Sequence, residues 1–140
     1  MHDVKREVGS GGRVTLSDGR CTFVYEPVRP GVLEIRIAGT DNGQFGTAPL
    51  DEIAMALVRD RPIELLVDAA EASMPPVAVS QAWTRFIALN QKDLRRVSVL
   101  VSSKSVALTM AIAQHLSNTG KLMQIYSDRE LYESRRQGGS

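Results

Sequence analysis

The chain has 140 residues, 17 of them Lys or Arg and 16 Asp or Glu, with 43% hydrophobic and 5% aromatic residues. That length holds one hydrophobic core, and a composition near the globular average excludes a disordered chain. The net charge of +1 gives no electrostatic reason for binding nucleic acid or an anionic membrane, and so few aromatics argue against a base-stacking platform.

The first residues, Met1 to Glu7, are charged and lead into no apolar signal core. No stretch approaches the roughly 20 apolar residues that cross a bilayer, so a soluble, cytoplasmic protein without integral membrane contact is expected. Gly9-Ser10-Gly11-Gly12 closes a flexible N-terminus over residues 1–12, and it lacks the spacing of a phosphate-binding loop. A single domain is expected over 13–136, with a fraying tail over 137–140.

Three short strands come first. Arg13 to Leu16 ends at the turn Ser17-Asp18-Gly19, and Cys21 to Glu26 is stopped by the proline pair in Pro27 to Gly31. In Val32 to Ala38, Leu33, Ile35 and Ile37 alternate with Glu34 and Arg36, which predicts one wet face. Cys21 is the only cysteine and sits in an alternating run, so it reads as a small buried hydrophobe in a reducing compartment.

A polar loop, Gly39 to Thr47, precedes a helix over 49–60, with Pro49 in its first turn and Thr47 as candidate cap. Ile63 to Val67 predicts a strand buried on both faces. A second helix follows over about 78–91, where Val79, Trp83 and Phe86 share a stripe and Trp83 reads as packing. Val97 to Val101 is another buried strand. Its helix, about Lys104 to Leu116, is more apolar than one buried stripe requires, which makes Val106, Met110, Ile112 and Ala113 a candidate partner surface and a route to a homodimer. Gly120 stops it, Leu122 to Tyr126 is the last strand, and Ser127 or Asp128 caps a terminal helix over Arg129 to Arg136. The strand–helix alternation predicts an α/β fold: a mixed, mostly parallel sheet of about five to six strands with about four helices and antiparallel strands at the N-terminal side.

This order of elements resembles the STAS family, the anti-sigma-factor-antagonist-like domains whose wider fold group includes Sec14-type lipid-binding modules. The resemblance rests on Gly39 after the third strand, Thr47-Ala48-Pro49-Leu50 opening a helix, and Leu65-Leu66-Val67-Asp68 as a central strand ending in aspartate. It is completed by Gly120 and by Ile125-Tyr126-Ser127-Asp128-Arg129-Glu130-Leu131 at the end of the fold. It covers about residues 31–135. The phosphorylatable Asp-Ser-Ser/Thr-Gly motif of many such antagonists is replaced by Met74-Pro75-Pro76-Val77-Ala78-Val79, which has no hydroxyl. The resemblance implies a regulatory protein-binding module that docks a helix face on a partner protein, or alternatively a small-molecule or lipid carrier of the Sec14-like kind.

No catalytic constellation emerges, and the chain is expected not to be an enzyme. His2 and His115 are the only histidines, too few and too distant for a triad or a metal site, and no cofactor is expected. Ligands of parallel α/β sheets bind at loops beyond the strand C-termini, which makes Asp68, Ser102, Ser103, Lys104 and Ser105 a candidate anion-binding loop. Arg59 with Arg61, and Lys92 with Arg95 and Arg96, read as solvated helix ends.

Overall fold

The computed structural model describes residues 4–103 and 122–138. Its elements are β1 (Lys5–Val8), β2 (Val14–Ser17), β3 (Cys21–Arg29), β4 (Val32–Gly39), α1 (Ala48–Asp60), β5 (Ile63–Ala72), α2 (Val77–Leu89), β6 (Leu94–Leu100), β7 (Met123–Tyr126) and α3 (Arg129–Arg136). All seven strands form one sheet in sequence order. The pairs β1–β2, β2–β3 and β3–β4 are antiparallel, and β4–β5, β5–β6 and β6–β7 are parallel.

The expected mixed sheet is present, with one strand more than the sequence suggested. The extra strand, β1, lies in the segment expected to be flexible. All four of its residues are exposed, so it carries no buried periodicity to betray it, yet it pairs with β2 from Lys5↔Ser17 to Val8↔Val14. Two other strands outrun their sequence signals. β3 passes through Pro27 to Arg29 by a register shift between those residues, the kind of irregularity that accommodates a proline in a sheet. β5 continues past Val67 to Ala72 because β4 lies along its whole length, with Arg36, Ala38 and Gly39 facing Asp68, Glu71 and Ala72. Three helices lie among the described residues; the helix expected over 104–116 falls outside them.

Crossovers from β4 to β5 and from β5 to β6 advance in one direction, and right-handed connections of that kind set their helices on one face of a sheet. The core shows it. Ile53, Ala56 and Leu57 of α1 and Ile87 of α2 pack with Ile35, Leu65, Val67, Val97 and Val99, while Trp83 and Phe86 close over this cluster from its rim. Each such large side chain contributes about 1.5–3 kcal/mol by leaving water. Phe23 meets Phe45 edge to face at 5.0 Å between centroids, and the buried Tyr25 donates its hydroxyl hydrogen bond to the Pro49 carbonyl at 2.8 Å, fixing the start of α1 on β3. Thr47 does not cap α1 through its side chain; its hydroxyl donates to Asp51 Oδ2 at 2.9 Å, and its carbonyl accepts from Leu50 and Asp51.

The other face is covered by α3. A smaller cluster of Val32, Leu66, Leu100 and Tyr132 forms there, the period-two complement of the first core. Asp128 caps α3, accepting from the Glu130 and Leu131 amides. At the end of β4, Gly39 has φ +93° and passes so close to β3 that a Cβ would stand 2.0 Å from the Arg20 carbonyl oxygen. Only glycine fits there.

Candidate functional site

Asp68, expected to end its strand, stands four residues before the end of β5 and faces α3. Its Oδ2 lies 3.1 Å from Arg129 Nη1, and Oδ1 accepts from the Ala70 amide at 3.2 Å. The hydrogen bond to Asp68 raises the Arg129 guanidinium further above its ordinary value. In the parallel register Asp68 lies beside Leu100, so Ser102 and Ser103 follow just beyond on exposed backbone after β6. Lys104 and Ser105 of the same candidate loop, and Val106, Met110, Ile112 and Ala113 of the candidate partner surface, lie outside the described residues.

The charged centre of the α3 face is Glu34. The sequence places it on the wet side of β4, but α3 covers it and leaves it 1% exposed. Its Oε2 accepts from Tyr132 Oη at 3.0 Å, its Oε1 accepts from Arg36 Nε at 3.2 Å, and Arg136 Nε sits 3.0 Å from the same Oε1. Burial first, and the Glu34 charge second, push the Tyr132 phenol above its ordinary range, so it remains a hydrogen-bond donor. Glu26, opposite Glu34 in the β3–β4 register, ties the network outward to Arg13, Arg36 and Arg136. The sequence signal for this arrangement is the spacing of Tyr132 and Arg136, four residues apart on a helix that follows the last strand. With Glu34 partnered on both oxygens, the network reads as the device that seats α3.

On the opposite side of the molecule, α2 turns an apolar face to solvent. Val77 is 71% and Leu89 78% exposed, Ala78 and Ala82 are exposed between them, and Gln81 and Arg85 are the polar members of that face. The stripe begins one loop earlier, at Met74, which is also exposed. The first turn of α2 has no acidic residue and no side-chain cap, only Pro76 at the N-cap. The sequence period marks only the inward stripe of this helix; the outward one is revealed by which residues the core leaves uncovered.

Among the described residues no group of three His, Cys, Asp or Glu side chains is placed to hold a metal ion. The Cys21 thiol, 1% exposed, is pushed up to about 11 by burial, with the Asp41 and Asp18 charges acting in the same direction, which favours the protonated thiol at neutral pH. No helix among the described residues is long and apolar enough to cross a membrane.

Among the described residues the sheet carries two helices on one face and a terminal helix on the other, an arrangement of the STAS-like class of α/β fold. The crystal structure of an uncharacterized protein of the DUF3478 family from Shewanella loihica PV-4, described as having a SpoIIAA-like fold, superposes on this chain with a TM-score of 0.54. The two are 14% identical, and the match covers 96% of this chain and 94% of that one. At that identity the likeness establishes the fold, which is SpoIIAA-like. No family model matches the sequence.

Proposed function

We propose that this chain is a non-enzymatic, cytoplasmic regulatory module that works by docking a partner protein, with the solvent face of α2 as the contact. The observation that carries the reading is the exposed stripe from Met74 through Val77, Ala78 and Ala82 to Leu89. Large apolar side chains leave water at a gain of about 1.5–3 kcal/mol each, so two of them left more than two-thirds exposed on one helix face mark a surface that gains by being covered. The SpoIIAA-like fold supports the same reading, as does the absence of a hydroxyl in Met74-Pro75-Pro76-Val77, which points to control by binding rather than by phosphorylation at this helix start. The helix expected over 104–116 lies outside the described residues, and the exposed stripe of α2 supports the same kind of contact.

The test is a double substitution, Val77→Glu with Ala82→Glu, on side chains already in solvent. The tagged native chain should retain a discrete protein from a lysate of its source cells, and the variant should lose it while its circular dichroism is unchanged. Retention of the same protein by the folded variant overturns the reading. Size-exclusion chromatography of both separates the homodimer case, since a self-association through this face would be lost in the variant.

A further inference from the structure

Two basic groups that stand apart in the sequence meet at one end of the fold. Because β4, β5 and β6 are parallel, the C-terminal ends of α1 and α2 lie at the edge of the sheet where those strands begin. This gathers Arg59, in the last turn of α1, and Arg61 just after it with Lys92, Arg95 and Arg96 after α2, while β3, which runs the other way, delivers Arg29 to the same edge on the α3 face.

Helix C-termini attract cations through the macrodipole, which accounts for Arg59 and Lys92 without any ligand. It does not account for Arg29 and Arg95, which sit at strand ends and are fixed on backbone carbonyls. Arg95 Nη2 donates to the Gly31 carbonyl at 2.9 Å, and Arg29 Nη1 donates to the Arg136 carbonyl at 2.7 Å. Gly31, at φ +78°, makes the first contact close: a Cβ there would stand 3.1 Å from Arg95 Nη2. A carbonyl orients a guanidinium without cancelling its charge. Arg61 and Lys92 are exposed. Among the described residues that end or follow α1 and α2 here, the acids are Asp60, Glu64 and Asp93; Asp60 pairs with Arg59 and Glu64 with Arg96, each at 3.8 Å. The chain as a whole is only +1, so the basic end expresses a polarity of the molecule rather than its net charge.

Val58 and Leu89, 74% and 78% exposed, lie in the last turns of α1 and α2, at the end of the fold that carries Arg61, Lys92 and Arg95. Apolar anchors framed by charge are the anatomy of a protein interface. A phosphate backbone offers nothing for them, and among the described residues no exposed aromatic side chain joins them for stacking. We infer that this end of the sheet, with Arg61, Lys92 and Arg95 on the side of Val58 and Leu89, docks an acidic, leucine-bearing segment of a partner protein. The inference rests on the docking reading above and adds the partner's chemistry, with Leu89 joining the α2 stripe to the basic end.

The experiment is fluorescence anisotropy of the full chain with a labelled synthetic helix-forming peptide of glutamate and leucine, at low and at physiological salt. The peptide should bind, and more weakly as salt rises. The combined variant R61E/K92E/R95E should lose roughly tenfold or more in affinity, and V58S/L89S should weaken binding while leaving its salt dependence intact. Should the three-site variant fail to fold, R61E/K92E, confined to exposed side chains, should still lose several-fold. Absence of peptide binding, or unchanged affinity in a folded charge-reversed variant, overturns the inference. Equal binding of a single-stranded oligonucleotide overturns it in favour of a nucleic-acid surface. If V77E/A82E abolishes partner capture while charge reversal leaves peptide binding unaltered, the docking reading stands and this inference falls alone.

Discussion

Alternate residues of β4 and β5 enter two different environments. Leu33, Ile35, Leu65 and Val67 meet α1 and α2 in a continuous apolar core, whereas Glu34, Leu66 and Asp68 meet α3 in a thin apolar cluster bordered by charge. The first face is held by area, which tolerates imprecise geometry and responds to lost volume. The second is held by partner geometry around one buried carboxylate, which tolerates little misplacement and responds to lost charge or a lost hydrogen bond. The same strand therefore carries two kinds of stability, one on each side.

Substitutions can break that contrast in order of expected effect. Leu65→Ala, at a fully buried position of the first face, should cost about 2–5 kcal/mol and lower the whole unfolding transition in a denaturant titration. Tyr132→Phe keeps the ring in the second cluster and removes only the donor to Glu34; a loss of about 1.5–3 kcal/mol is expected, the range for hydrogen bonds to charged groups. Hydrogen exchange should show that loss concentrated on α3, and an even spread over α1 and α2 would count against the division into two faces. Arg129→Ala should cost no more than about 1 kcal/mol, because the Arg129 side chain is half exposed and its pair with Asp68 is screened.

Acidification sharpens the same contrast. The Glu26 carboxyl is held below its usual range, first by the hydrogen bond from Arg13 and then by the charges of Arg13, Arg36 and Arg136, while burial acts in the opposite direction. A depressed carboxyl contributes stability that is present above the unfolded value, about 4.3, and is lost as pH falls through the lower folded value. The melting temperature should therefore fall on the acid side of that value, and Glu26→Gln should flatten this limb without altering the Leu65→Ala penalty. A Gln variant with an unchanged acid limb would place the sensitivity elsewhere.

Much of this architecture is legible in the sequence because period and burial coincide there. Leu33, Ile35 and Ile37 gave the orientation of β4, the stripe with Trp83 and Phe86 gave the inward face of α2, and the terminal helix runs over Arg129–Arg136 as expected. What escaped is tertiary. Lys5–Val8 is exposed at every residue and pairs only because β2 offers an edge. The stretch Asp68-Ala69-Ala70-Glu71-Ala72 favours helix or loop by propensity and is strand because β4 runs beside it. Glu34 alternates like a solvent-facing residue, and only the return of α3, almost a hundred residues later, buries it. The candidate site was legible to the same degree. Asp68 was found as a strand end and stands as an ion-pair partner, while the outward stripe of α2 and the merging of two basic groups at one edge needed the topology to appear.

The strand order has one further consequence. Since every strand lies beside its neighbour in sequence, the sheet can grow as the chain emerges from the ribosome, each new strand adding to an edge already formed and none inserting between two others. The β1–β4 meander can close before the first crossover is synthesised, with short loops and little entropy to overcome. The chain would thus assemble in the order in which it is made, and α3, made last, would close over Glu34 only when both the carboxylate and the strands around it are in place.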